Sequence, residues 1–275
     1  MKALPLAPLR IHWITDIHLV DELAGHREAR GAVWMERHYY AAQDKLRQAV
    51  DIANREQPDF VICTGDVIDR AQPLASFLQE WNRIESPSAF MLGNHDLDIG
   101  GEAFESQFGV ADHPLVAGSR FNRSIAMRGG GAAVRVLLLD TYVGEEGGRL
   151  YETCEGTITR EAFEWLEQEM TVCPERLILL FSHNGIGGPC EYFDQQAVER
   201  FLELAERIAG QGKTILNLAG HHHIYPVAEI REVQPGFTFI NGVAMIAESV
   251  SSVNVIEIHP DGSYRLDYRQ VGLAD

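Results

Sequence analysis

The stretch Phe60-Val61-Ile62-Cys63-Thr64-Gly65-Asp66-Val67-Ile68-Asp69 constrains the fold of this chain more than any other. Its apolar, β-branched start reads as a short buried strand. Gly65 breaks the run and a carboxylate follows at once. In open α/β sheets ligands gather just beyond the carboxyl ends of the strands, so Asp66 stands where chemistry is usually done. The same pattern recurs. Residues 10–15 read as a strand leading into Asp16-Ile17-His18, and residues 88–92 as one leading into Gly93-Asn94-His95-Asp96. Residues 177–181 lead into Ser182-His183-Asn184, and residues 214–218 into Gly220-His221-His222-His223.

Helices are predicted between these strands. Over 39–56, Ala42, Leu46, Ala49, Val50 and Ala53 share one face, and Pro58 follows the end. A second helix is predicted over 74–84. Thr159 caps a third, running to Met170 with Phe163 and Leu166 on its apolar face, and Asp194 caps a fourth that stops at Gly210. Strand and helix alternating through short joins imply βαβ units with right-handed crossovers. Residues 134–139 add a strand closed by Asp140-Thr141. Residues 97–130, rich in Gly, Asp and Ser, show no clear element. Further on the pattern changes to hairpins: 227–233 with 237–241 around Gln234-Pro235-Gly236, and 253–258 with 263–269 around Asp261-Gly262. No repeat or linker interrupts it, so residues 1–275 read as one domain.

The 40 acidic and 23 basic residues give a net charge of −17, which argues against a nucleic-acid partner and suits cation binding. No run reaches the roughly 18 apolar residues of a membrane span, and Pro5 and Pro8 interrupt the start where a signal peptide would have its apolar core. The expectation is a cytoplasmic enzyme without a membrane partner. Cys63 lies inside a predicted core strand, while Cys154 with Cys173 or Cys190 is a conceivable disulfide.

Five strand ends, expected on one edge of the sheet, carry Asp16, His18, Asp66, Asn94, His183, His221 and His223. Carboxylates and imidazoles with an amide oxygen suit Mn, Fe or Zn, and no cysteine is placed for a thiolate site. In Asp16-Ile17-His18 and His221-His222-His223 the outer residues of an extended segment point the same way, so His222 is expected to point elsewhere. His12, inside the first strand, reads as core.

In order, Asp-x-His, Gly-Asp-x-x-Asp, Gly-Asn-His-Asp, a strand-end His and Gly-His-x-His resemble the motifs of the calcineurin-like metallophosphoesterases. Asp140-Thr141, Gly156 and Phe163-Glu164-Trp165-Leu166 look most like the class III cyclic nucleotide phosphodiesterase branch. The chain departs from that branch with Ser182-His183-Asn184-Gly185 in place of His-His-Pro-Pro, and with a longer first loop over 19–38. The resemblance implies an α/β (α+β) fold, a four-layer αββα sandwich of two mixed β-sheets flanked by helices, with two metal ions at its edge. It implies Asp16, His18, Asp66 and His223 as ligands of the first ion. Asp66, Asn94, His183 and His221 would hold the second. Ions sharing Asp66 would activate a water between them for in-line attack on phosphorus. His95 is implied to stabilise the transition state and protonate the leaving oxygen, with Asp96 orienting it and Asp69 bracing the site.

The implied substrate is a small phosphate ester, foremost a diester such as a cyclic nucleotide. A phosphomonoesterase and a non-catalytic scaffold are the alternatives, the scaffold disfavoured because every ligand position is filled. Candidates for the substrate pocket are His26, Arg27, Arg30, His38 and Tyr142. The oligomeric state is left open, a homodimer included.

Overall fold

The structure, a computed structural model, describes residues 7–20, 37–69, 74–97, 113–150, 153–188 and 192–272. Two mixed sheets face each other. The first has the order β11-β10-β1-β2-β3, from β1 (Leu9–Ile14), β2 (Phe60–Cys63), β3 (Ser88–Phe90), β10 (Val250–Ile258) and β11 (Tyr264–Gly272). The second has the order β4-β5-β6-β7-β9-β8. Its strands are β4 (Arg123–Gly129), β5 (Ala132–Leu138), β6 (Leu177–Phe181), β7 (Thr214–Ile224), β8 (Glu229–Gln234) and β9 (Phe237–Val243). Five helices are described: α1 (Tyr39–Glu56), α2 (Leu74–Trp81), the single turn α3 (Asn94–Leu97), α4 (Arg160–Val172) and α5 (Gln195–Gly210).

Strand alternation builds the four layers. Phe60 and Ile62 of β2 turn toward the second sheet, while Val61 and Cys63 turn toward Leu46, Ala49 and Val50 of α1. In β6, Leu177, Leu179 and Phe181 face the first sheet, and Ile178 and Leu180 meet Leu166 of α4 and Phe201 of α5. Trp13 of β1 crosses between the sheets to Phe181, ring centroids 6.0 Å apart, and its indole N–H donates to Thr64 Oγ1. His12 is buried on the helix side, its Nε2 3.4 Å from Glu56 of α1. The two predicted caps form: Thr159 accepts from Ala162 N, and Asp194 accepts from Gln196 N and Ala197 N.

Three expectations change. The ligand-bearing strands do not share one sheet: β1, β2 and β3 belong to the first, β6 and β7 to the second. Residues 123–129, read as irregular, form β4, an antiparallel hairpin with β5. Gly130 and Gly131 both take positive φ (56° and 83°), as a two-residue hairpin turn with the twist of its strands requires. Strand β7 does not stop at Leu218 but runs to Ile224, with a register shift between Ala219 and Ile224, so His221 to His223 lie inside an irregular strand end. Cys63, Cys154 and Cys173 are free thiols, which removes a Cys154–Cys173 bridge, and Cys190 lies outside the described residues. Among the described residues no helix is long and apolar enough to cross a membrane.

Candidate metal centre

The site forms where the ends of both sheets meet. The chain after β1 is tied to the chain after β2 by Ile17 N and His18 N, both donating to Asp66 O, and by Leu19 N to Val67 O. The second sheet is tied in by His183 Nδ1, 2.9 Å from Thr64 O, and within that sheet Gly220 N donates to His183 O. Asp16 accepts from His221 N with both carboxylate oxygens and from Thr15 Oγ1.

Asp16, His18, Asp66, His221 and His223 all have φ between 50° and 74°, the left-handed region. They are five of the seven described non-glycine residues there. Such backbone is strained by about 1–3 kcal/mol per residue and persists only where surrounding structure over-determines it. The outer residues of each triplet do converge, but through these left-handed turns rather than through the extended alternation expected from sequence. His222 takes ring contacts with Tyr192 and His221 instead of joining either donor cluster.

Three donor groups result among the described residues: His18, Asp69 and His95 form one, and the other two share a carboxylate. Asp16, His18, Asp66 and His223 each offer an atom within 4.8 Å of the others, and so do Asp66, His183 and His221. Asp66 belongs to both: its Oδ2 lies 3.4 Å from His18 Nε2 and 3.4 Å from His183 Nε2. Its Oδ1 accepts from His95 N, which holds the start of α3, with Asn94 as its first residue, against this carboxylate.

The imidazoles are oriented from behind. His18 Nδ1 lies 2.7 Å from Asp69 Oδ1, and His183 Nδ1 faces the Thr64 carbonyl, so each ring presents Nε2 to Asp66. His18 Nε2 is then 2.9 Å from His223 Nε2, and His183 Nε2 is 3.2 Å from His221 Nδ1. The ring nitrogens of four histidines and the carboxylates of Asp16 and Asp66 thus converge on one buried spot. This donor set fits two cations of the Mn, Fe or Zn kind. The same electrostatics show in the protonation equilibria. Burial pushes His221 down to about 3 and His223 to about 4. At His183 burial works against the charge, but Asp66 outweighs it and pulls the pKa up to about 9.

Two assignments need correction. Asp96 does not orient His95. It is fully buried and accepts from Val67 N, Ile68 N and Gly93 N, bracing the loop after β2. The carboxylate on His95 is Asp69, whose Oδ1 lies 2.8 Å from His95 Nδ1. Against burial, hydrogen bonds from His18 and His95 hold Asp69 well below the usual carboxylate range. Nor is Tyr142 a surface residue of the pocket. It is wholly buried, and its hydroxyl reaches Asn94 Oδ1 at 3.3 Å. His38 faces Glu248 and Tyr40, and His26, Arg27 and Arg30 lie outside the described residues. Arg37 was not singled out by sequence, having no motif around it. Its Nη2 lies 3.1 Å from His95 Nε2 and its Nη1 3.3 Å from Asp69 Oδ2.

Glycine makes the close approach possible. A Cβ at Gly93 would collide with Asp66 Oδ1 and lie 2.6 Å from Asp66 N and 2.7 Å from His183 Cε1. Gly93→Ala is therefore expected to keep the far-ultraviolet spectrum of the fold while metal analysis finds less than one equivalent bound. Full loading of that variant would contradict the packing argument.

An αββα sandwich with two donor clusters joined through one carboxylate has the plan of a dinuclear metallohydrolase. The chain belongs to the calcineurin-like phosphoesterase family, whose profile matches residues 9–225. It is a phosphoester hydrolase of that family. It is 26% identical over 230 residues to the 3′,5′-cyclic adenosine monophosphate phosphodiesterase CpdA of Escherichia coli K12, covering 81% of this chain and 74% of that protein. Over 175 residues, 62% of this chain, it is also 26% identical to an Arcobacter nitrofigilis protein, of which that covers 58%. The protein's name assigns it to the glycerophosphodiester phosphodiesterases, GpdQ. Both relatives agree with the resemblance to the class III branch. A dimetal phosphatase from Danio rerio has the same fold, with a TM-score of 0.71, 19% identity and 96% of each chain covered.

Proposed function

We propose that this protein hydrolyses small phosphodiesters at a dinuclear metal centre. The observation that carries the reading is Asp66 standing in both donor clusters. In this reading Asp16, His18, Asp66 and His223 hold one ion, and Asp66, Asn94, His183 and His221 hold the other. Two such ions supply Lewis acidity and a nucleophile drawn from water at neutral pH. The rest falls to the chain itself. Tyr142 fixes the Asn94 amide through its hydroxyl. Asp69 orients both His18 and His95. The His95 side chain is 26% exposed, and with Nδ1 held by Asp69 its Nε2 is the nitrogen able to protonate a departing alkoxide. Strands β10 and β11, beyond the family match, complete the first sheet against β1, which supports treating the chain as one domain.

The preference for a diester rests on the names of the two relatives, both phosphodiesterases. The test is turnover, by Mn-loaded protein, of a bis-aryl phosphate, an aryl phosphate monoester and cyclic nucleotides. A higher kcat/KM for a diester is expected; faster hydrolysis of the monoester would replace this reading with a phosphatase.

A further inference from the structure

We propose that Arg37 is a substrate-contacting residue whose guanidinium moves from His95 Nε2 to the non-bridging oxygens of the phosphoryl group. The proposal rests on the phosphoesterase reading above and adds the group that receives the anion. Arg37 enters the site from the residue pair before α1 and touches three side chains: Asp69, Tyr39 through its hydroxyl at 3.2 Å, and His95. An arginine only donates, so its bond to His95 makes Nε2 the acceptor. That nitrogen is the one the leaving oxygen needs, so Arg37 has to release it before His95 can serve. A phosphoryl oxyanion is the stronger partner, since it brings a full negative charge and can take two parallel N–H bonds from the guanidinium where His95 takes one.

The guanidinium also has capacity to spare. Its Nε is buried and has no hydrogen-bond partner among the described residues. Once Nη2 leaves His95, Nε and Nη2 together form a planar donor edge that suits bidentate capture of two phosphoryl oxygens. The location agrees. His95 and Asp69, which Arg37 touches, adjoin Asp66 and His18. In a chain of net charge −17, with Asp16, Asp66 and Asp69 packed together, an anionic substrate needs such a group beside the ions.

The test uses Mn-reconstituted wild-type, Arg37→Gln and Arg37→Lys proteins with metal content measured for each, and inorganic phosphate as the probe. Calorimetry and competitive inhibition of diester turnover both read its affinity. The expected result is unchanged metal content, with phosphate bound about tenfold to a hundredfold more weakly by Arg37→Gln. Arg37→Lys is expected in between, because a point charge replaces the fork. Equal phosphate affinity in all three proteins would overturn the proposal, even with a lowered melting temperature, because a brace for Asp69 alone would move stability and not affinity. Loss of metal from both variants would also overturn it, by assigning Arg37 to metal support. A wild-type protein that neither binds phosphate nor cleaves any ester would remove the phosphoesterase reading itself, and this proposal with it.

Discussion

Asp66→Asn protein is expected to fold, to take up neither metal ion and to lose at least roughly 10⁴-fold in turnover, since metal assistance is worth several kcal/mol and each factor of ten about 1.4 kcal/mol. Asparagine is the informative replacement. Asp66 sits at φ 51°, a conformation that asparagine tolerates better than alanine, so the change removes the charge with little added backbone strain. The carboxylate spans both clusters, 3.4 Å from His18 and from His183, and no other described residue belongs to both. A ligand serving one ion would leave the other bound. His222→Ala is the control, because that ring joins neither cluster, and it is expected to retain both ions. Retention of one equivalent by Asp66→Asn would show the two sites to be independent.

The second large effect is at His95. His95→Ala is expected to keep both ions, since in the proposed ligand set Asn94 and not His95 is the donor at that turn, while kcat falls by about 10²–10⁴-fold, the usual worth of a positioned acid. The loss should be greater for a diester with an alkoxide leaving group than for one releasing nitrophenolate, which departs without a proton. Asp69→Asn should follow the same leaving-group pattern, because Asp69 holds His95 Nδ1. Asp96→Asn should instead lower thermal stability, since Asp96 bonds three backbone N–H groups and not His95. Equal drops for both leaving groups in His95→Ala would reject the proton-donor role.

The donors of the site were legible because each follows a short apolar run with its own break in the chain. Their convergence was legible too, but not its cause. The extended alternation inferred for Asp16 and His18 gives way to left-handed turns, which sequence does not signal at Asp or His as it does at Gly. The error over Asp96 has a similar root. Asp96 follows His95 within the single turn of α3, and neighbours one apart on a helix do not face each other. Asp69, distant in sequence, reaches His95 because β2 and β3 are adjacent parallel strands ending at the same level. Tyr142 was assigned to the substrate pocket and Arg37 passed over because each acts through a tertiary contact, with Asn94 and His95 respectively, that no local motif announces. Strand β4 was hidden because its half-exposed residues, Arg123 to Gly129, offer only the short apolar run Ile125-Ala126-Met127 between arginines.

If Asp66 serves two metal ions, both would be needed for hydrolysis. Metal-stripped wild-type protein titrated with Mn, with turnover of a phosphodiester followed at each addition, tests it most directly. No turnover is expected before metal is added, with a plateau at two equivalents per chain. Full turnover in the stripped protein, or a plateau at one equivalent, would contradict it.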